Sequence, residues 1–100
     1  MATKEDFCTM ILNGHEVRFK RVVMGKEAWY CAYVTLNNSR MWKYTIEHMG
    51  NVTYHEDDVV GIDTAHAYNE GQTDTGKLVN AIMQMQIILN RWNELTGEGK

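Results

Sequence analysis

Hydrophobic and polar residues alternate over the first third of the chain. An apolar run at residues 7–12 is followed by Asn13-Gly14, the strongest two-residue hairpin signal, and by alternation over residues 15–24. Residues 29–36 are rich in aromatic and β-branched side chains, which favours a half-buried strand. We therefore predict a three-stranded antiparallel meander, with a polar, frayed segment before it at residues 1–6.

The second half of the chain changes from short strands to a helix. Residues 41–47 fit a helical turn or a strand equally well, whereas residues 52–54 and 59–63 are strand-like. Residues 66–75 are polar and glycine-containing, which indicates a surface loop. Apolar residues then recur every three or four positions over a predicted helix at 74–96: Leu78, Ile82, Met85, Leu89 and Trp92.

These elements together predict an α+β fold. A small antiparallel sheet of four or five strands packs on one C-terminal amphipathic helix, and the 100 residues form a single domain, 1–100. A domain of this size has a thin core. The helix also carries Val79, Met83 and Gln86 on a second side, so we expect that side to pair with another copy in a homodimer.

Charge and cysteine content narrow the possible partners. The net charge is −3, with 10 Lys and Arg against 13 Asp and Glu, which argues against non-specific nucleic-acid binding. A local basic patch at Arg18, Lys20, Arg21 and Lys26 suits one small anionic ligand better. Cys8 and Cys31 are expected to be free thiols in a cytosolic protein, since neither a signal peptide nor an apolar stretch of membrane-spanning length is apparent.

Polar chemistry concentrates between residues 48 and 66. His48, His55, Asp63 and His66 are residue types that bind zinc or iron, but their spacing matches no metal-binding pattern, so we expect no metal and no cofactor. Asp63 can orient the His66 imidazole or accept a hydrogen bond from a ribose hydroxyl or a base amine. The alternative is a turn in which Asp63 caps local backbone amides.

Nucleophilic catalysis has little support in the sequence. Ser39 is the only serine and does not lie in a nucleophile elbow, and Cys31 lies in a predicted strand between aromatic residues. Tyrosine and tryptophan near arginine and histidine are instead what a nucleobase-stacking pocket uses. Core packing is the alternative role for these rings.

Three stretches in order resemble a family of small uncharacterised bacteriophage proteins. They are Trp29-Tyr30-Cys31-Ala32-Tyr33-Val34, His48-Met49-Gly50-Asn51-Val52-Thr53-Tyr54 and Gly61-Ile62-Asp63-Thr64-Ala65-His66. The family pattern runs W-x-C-G-Y-V, then H-G-G-L-T-Y, then G-F-D-x-A-H, with a helix afterwards. The resemblance implies a phage accessory protein that acts in the cytoplasm of the bacterial host.

Three functions follow as hypotheses. The first is a counter-defence sponge that sequesters a nucleotide-derived immune signal without cleaving it. The second is an inhibitor that blocks a host defence protein by direct contact, as anti-CRISPR proteins do, and the third is a small nucleotide hydrolase with His66 as general base and Asp63 as its partner.

For a small anionic ligand we expect a site where the end of the 59–63 strand meets residues 48–54. Arg18 or Lys20 would supply the countercharge. The candidate ligand-binding residues are His48, Thr53, Tyr54, Asp63, Thr64, His66, Arg18 and Lys20.

Overall fold

A computed structural model describes residues 2–64 and 73–97 of the chain. Five strands form one antiparallel sheet in the order β1-β2-β3-β5-β4. The strands are β1 (Thr3–Leu12), β2 (His15–Met24), β3 (Glu27–Thr35), β4 (Tyr54–Glu56) and β5 (Val59–Asp63). The helices are α1 (Lys43–Glu47), which continues a 3₁₀ turn at Ser39–Trp42, and α2 (Asp74–Thr96). The predicted α+β fold is confirmed.

The first hairpin forms where the sequence predicts it. Asn13 and Gly14 both have positive φ, 52° and 83°, which the tight turn between two twisted strands requires. The turn sets the register of β1 on β2, with Leu12 opposite His15 and Met10 opposite Val17. The register shifts between Asp6 and Cys8, so Phe7 is the extra residue of a bulge.

Two expectations about local structure need correction or completion. The predicted fraying of residues 1–6 does not hold from Thr3 onwards, because β1 begins there and Thr3 pairs with Val23 of β2. Backbone pairing with β2 orders this stretch, and an edge strand tolerates its polar side chains. Residues 41–47, ambiguous in the sequence, are helical.

Helix α2 covers one face of the sheet, called here the helix face. Its buried residues are Ala81, Met85, Ile88, Leu89 and Trp92, and they pack against buried side chains of β2, β3 and β5 that include Phe19, Tyr30, Ala32, Val34, Val60 and Ile62. Of the five apolar residues predicted to define the buried side of this helix, Met85, Leu89 and Trp92 lie in the core. The other two, Leu78 and Ile82, are half-buried at its margin.

The N-terminus of α2 is fastened to the sheet by polar contacts. Thr73 caps the helix, since its hydroxyl accepts a hydrogen bond from the Gly76 amide at 3.0 Å. The Asp74 carboxylate accepts hydrogen bonds from the Tyr30 hydroxyl at 2.8 Å and from the Arg21 guanidinium at 3.1 Å. The Tyr30 hydrogen bond first, and the Arg21 charge after it, hold the pKa of Asp74 below its ordinary value.

Leu89→Ala should lower the free energy of unfolding by about 2–5 kcal/mol, because Leu89 is fully buried and its truncation leaves a cavity. Ile87→Ala is the matched control on the same helix. Ile87 is 44% exposed, so its truncation should change stability by no more than about 0.5 kcal/mol. Urea denaturation measures both, and equal losses would show that the helix does not pack as described.

Asp74→Asn should make stability less sensitive to acid. The pKa of Asp74 is lowered in the folded chain, so its stabilising effect is complete above the unfolded pKa of 3.8 and is lost as the pH falls through the folded pKa. Between about pH 5 and pH 2 the free energy of unfolding should fall less steeply in the variant than in the parent. Parallel profiles in urea denaturation across this range would contradict the assignment.

Candidate functional site

Five residues form one row across the sheet on the side opposite α2, called here the outer face. Arg18 pairs with Thr9 on β1 and with Tyr33 on β3. Tyr33 pairs in turn with Gly61 on β5, and Gly61 with Tyr54 on β4. Side chains of directly paired residues lie on the same face, so residues distant in sequence meet in this row.

Gly61 allows the two tyrosine rings to meet. A Cβ at Gly61 would lie 2.7 Å from Cδ1 of Tyr33 and 3.3 Å from Cβ of Tyr54, so the Tyr33 ring occupies the space of the missing side chain. The two rings pack edge to face, with centroids 5.9 Å apart and an interplanar angle of 85°. Tyr54 stays 42% exposed, which leaves ring surface available to a ligand.

These rings border a depression of about 300 Å³ that also carries cationic side chains. It is called here the outer-face site, and its lining residues are Lys4, Arg18, Lys20, Tyr33, Tyr54 and Val59. A volume of this size lies at the lower end of the range for small-molecule pockets. Three positive charges and two phenol rings make it suited to an aromatic anion.

The three cations differ in how firmly they are held. The Lys4 ammonium donates a hydrogen bond to the Tyr33 hydroxyl at 2.7 Å, and chiefly this bond raises the pKa of Lys4. Lys20 forms an ion pair with Asp6 at 3.4 Å, with both side chains solvent-accessible, so the pair contributes little stability. The Arg18 side chain makes neither a hydrogen bond nor an ion pair within residues 2–64 and 73–97, so its guanidinium is available to an anion.

Asp63 and Cys31 pair on the outer face beside this site. The Cys31 side chain is buried, and burial first, with the Asp63 carboxylate second, raises the pKa of its thiol to about 11. A thiol with a raised pKa is mostly protonated at neutral pH, and a buried protonated thiol is a poor nucleophile. This agrees with the structural role expected for Cys31.

Two of the predicted binding residues hold the backbone together. The Thr64 side chain is buried, and its hydroxyl donates a hydrogen bond to the Tyr30 carbonyl at 2.9 Å. The Thr53 hydroxyl donates to the Gly61 carbonyl at 3.5 Å. Both contacts are structural in the described chain, and a ligand-binding role for Thr53 and Thr64 stays a prediction.

His48 lies in a different depression from Arg18, Lys20 and Tyr54. It follows α1, where its Nδ1 faces the Tyr44 carbonyl at 2.7 Å and its ring stacks on Tyr44 at 4.0 Å. The depression beside it, about 420 Å³, is lined by Tyr44, Thr45, His48, Met49, Arg91 and Leu95. His66 lies outside the described residues. The predicted binding residues therefore do not form one site. Arg18, Lys20 and Tyr54 lie together, and His48 lies in the other depression.

Sequence reasoning missed Lys4 and Tyr33 as site residues. Lys4 falls in the segment expected to fray, and Tyr33 was one of many aromatic residues without an assigned partner. One signal in the sequence could have found this site. The alternation of β2 places Arg18 and Lys20 on the same face of the sheet, next to the residues of β3 that share that face. To predict the complete site, the pairing register of strands that are distant in sequence must also be known.

Ser39 and His55 form the other polar pair of interest. The Ser39 hydroxyl lies 3.3 Å from Nε2 of His55, but the Ser39 side chain is fully buried and out of reach of a substrate. Nδ1 of His55 is buried with no hydrogen-bond partner. In the part of the chain that the structure describes, no three His, Cys, Asp or Glu side chains are grouped to hold a metal ion.

Comparisons with protein-family models, with curated proteins and with solved structures found no match. No helix within the described residues has the length and apolar character needed to cross a membrane. We therefore infer function from the outer-face site, together with the sequence resemblance given above.

Gly61→Ala should destabilise the fold by about 1–3 kcal/mol, because the added Cβ collides with the Tyr33 ring and forces it to move. The control is the same substitution in a Tyr33→Ala background, where the collision is gone and the cost should fall. Urea denaturation of the four proteins of this cycle gives the coupling energy. A coupling near zero would show that Gly61 does not seat the Tyr33 ring.

Proposed function

We propose that this protein binds a nucleotide-derived anion at the outer-face site and holds it without chemical change. The observation that carries the proposal is the meeting of two tyrosine rings with three cations in one depression of about 300 Å³. Aromatic rings that stack bases beside a positively charged surface are the usual means of holding nucleotides and single strands. We propose in addition that the bound molecule is an immune signal of a bacterial host.

Each part of a nucleotide has a suitable partner in the site. The half-exposed Tyr54 ring offers a face to a base, and the perpendicular Tyr33 ring forms the adjoining wall. Arg18 supplies a planar guanidinium that can donate two parallel hydrogen bonds to a phosphate. Lys4 adds charge from a position that its hydrogen bond to Tyr33 already fixes.

The biological setting comes from the resemblance to small bacteriophage proteins. That resemblance implies a protein acting in the host bacterial cytoplasm, where removal of a free nucleotide signal would protect an infecting phage. A sponge of this kind needs binding groups alone. The buried Ser39 hydroxyl and the protonated Cys31 thiol do not offer a nucleophile at the site, which supports binding rather than nucleophilic catalysis.

A second candidate function is a protein inhibitor that blocks a host defence effector by direct contact. It is favoured by large apolar side chains that are exposed on α1 and α2 and on the turn before α1. The most exposed are Met41, Tyr44, Met83 and Val79. The expected homodimer would use the same kind of surface, and light scattering over a concentration series separates a self-associating protein from a monomer.

Mass spectrometry of protein purified from infected, defence-active cells distinguishes the hypotheses. An intact nucleotide released from the protein supports the sponge. A cleaved nucleotide would favour the hydrolase with Asp63 and His66 instead, and a co-purified host protein without nucleotide would favour the contact inhibitor. The last two outcomes overturn the proposal.

Tyr54→Ala should weaken binding of adenosine monophosphate by about 5- to 150-fold, since stacking one base on an aromatic side chain is worth about 1–3 kcal/mol. Isothermal titration calorimetry with the parent and the variant measures the change in Kd. The thermal unfolding midpoint of the variant should fall only slightly, because the Tyr54 ring is partly exposed and lies outside the core, and only its edge-to-face contact with Tyr33 is lost.

Tyr44→Ala is the matched control for this experiment. Tyr44 is also an exposed tyrosine, but it lies beside His48 in the other depression. Its removal should leave nucleotide affinity within about twofold of the parent, a free-energy change below about 0.5 kcal/mol. If Tyr44→Ala weakens binding and Tyr54→Ala does not, the ligand binds on the helix side and the outer-face site is wrong.

A further inference from the structure

Arg18 stands between two depressions of different chemical character. On one side is the outer-face site with its tyrosine rings. On the other is a depression of about 410 Å³ lined by Glu16, Arg18, Thr35 and Asn37, called here the polar depression. Arg18 is the only residue that lines both among those the structure describes. A ligand that occupied both would have to pass this guanidinium.

We propose that the ligand is a dinucleotide, with its internal phosphodiester at Arg18. One base stacks at Tyr33 and Tyr54, and the second nucleoside occupies the polar depression. This inference rests on the proposed function and adds the class of nucleotide to it. It follows from the charge and the hydrogen-bonding groups found on each side of Arg18.

The polar depression suits a nucleoside better than a phosphate. Glu16 is an acceptor when ionised, so it repels a phosphate but accepts hydrogen bonds from a base amine or a ribose hydroxyl. Asn37 both donates and accepts, as does the Thr35 hydroxyl. The cations Lys4 and Lys20 line the outer-face site but not the polar depression. The outer-face site therefore favours the negatively charged part of a ligand, and the polar depression favours its neutral polar groups.

The spacing of the two depressions favours a phosphodiester over a pyrophosphate. Tyr33 and Thr35 are alternate residues of β3 on the same face, about 7 Å apart along the strand. Successive nucleosides joined through one phosphate can occupy such neighbouring positions. A single phosphodiester also carries one negative charge, which matches the single guanidinium at the junction. A pyrophosphate would bring two charges to this point, next to Glu16.

The ligand class can be tested by calorimetric titration with four compounds. These are adenosine monophosphate, ADP-ribose, the linear dinucleotide pApA and cyclic di-adenosine monophosphate. The two phosphodiester-linked compounds should bind at least about tenfold more tightly than adenosine monophosphate and ADP-ribose, a gain of about 1.4 kcal/mol. Comparison of pApA with the cyclic compound shows which of the two forms fits better, and a gain for either supports the inference.

Two variants separate the depressions. Asn37→Ala should weaken dinucleotide binding by about fivefold or more, while the affinity for adenosine monophosphate, which depends on the outer-face site, stays within about twofold. Arg18→Gln should weaken both and reduce the advantage of the dinucleotide. Arg91→Gln, which removes a guanidinium from α2 beside His48, is the matched control and should change neither.

Failure of this inference differs from failure of the proposed function. Binding of adenosine monophosphate or ADP-ribose as tight as that of the dinucleotides, with no effect of Asn37→Ala, would overturn the dinucleotide and leave the nucleotide sponge in place. Absence of binding by all four compounds would overturn both. Circular dichroism of each variant confirms that the comparison is made on folded protein.

Discussion

One helix covers one face of the five-stranded sheet, and the rest of the structure depends on this packing. Trp92, Leu89 and Met85 bury the helix face, where apolar side chains of β2, β3 and β5 meet them. The outer face is paired with no helix among the described residues, so its side chains include lysine, arginine and tyrosine. The fold thus separates stability from binding: the core lies on one side and the candidate site on the other.

Strand register determines which side chains meet on the outer face. The Asn13-Gly14 turn fixes β1 on β2, and a slip of β1 by one residue would send Lys4 to the helix face. The same register places Tyr33 over Gly61, where any larger residue would displace the ring. The geometry of the outer-face site is therefore a consequence of backbone pairing, since all six residues that line it lie on strands.

The sequence predicted what depends on local pattern and missed what depends on distant pairing. The helical stripe and the hairpin are local signals, and α2 and the β1–β2 turn lie where they were expected. Lys4 was missed because a polar segment looks frayed unless its partner strand is known. His48 was grouped with Tyr54 because only five residues separate them in sequence, but the His48 ring stacks on Tyr44 of α1 instead.

Several side chains of the outer-face site are held in place by contacts with one another. The Lys4 ammonium is already held 2.7 Å from the Tyr33 hydroxyl, and the Tyr33 ring is seated on Gly61 and braced by Tyr54. Groups that are ordered in advance lose little conformational entropy on binding. The largest entropy loss is therefore expected for the Arg18 side chain, which lacks a partner in the described chain. A strand-mounted site with one adaptable guanidinium is suited to the tight binding that the proposed sequestration of a nucleotide requires.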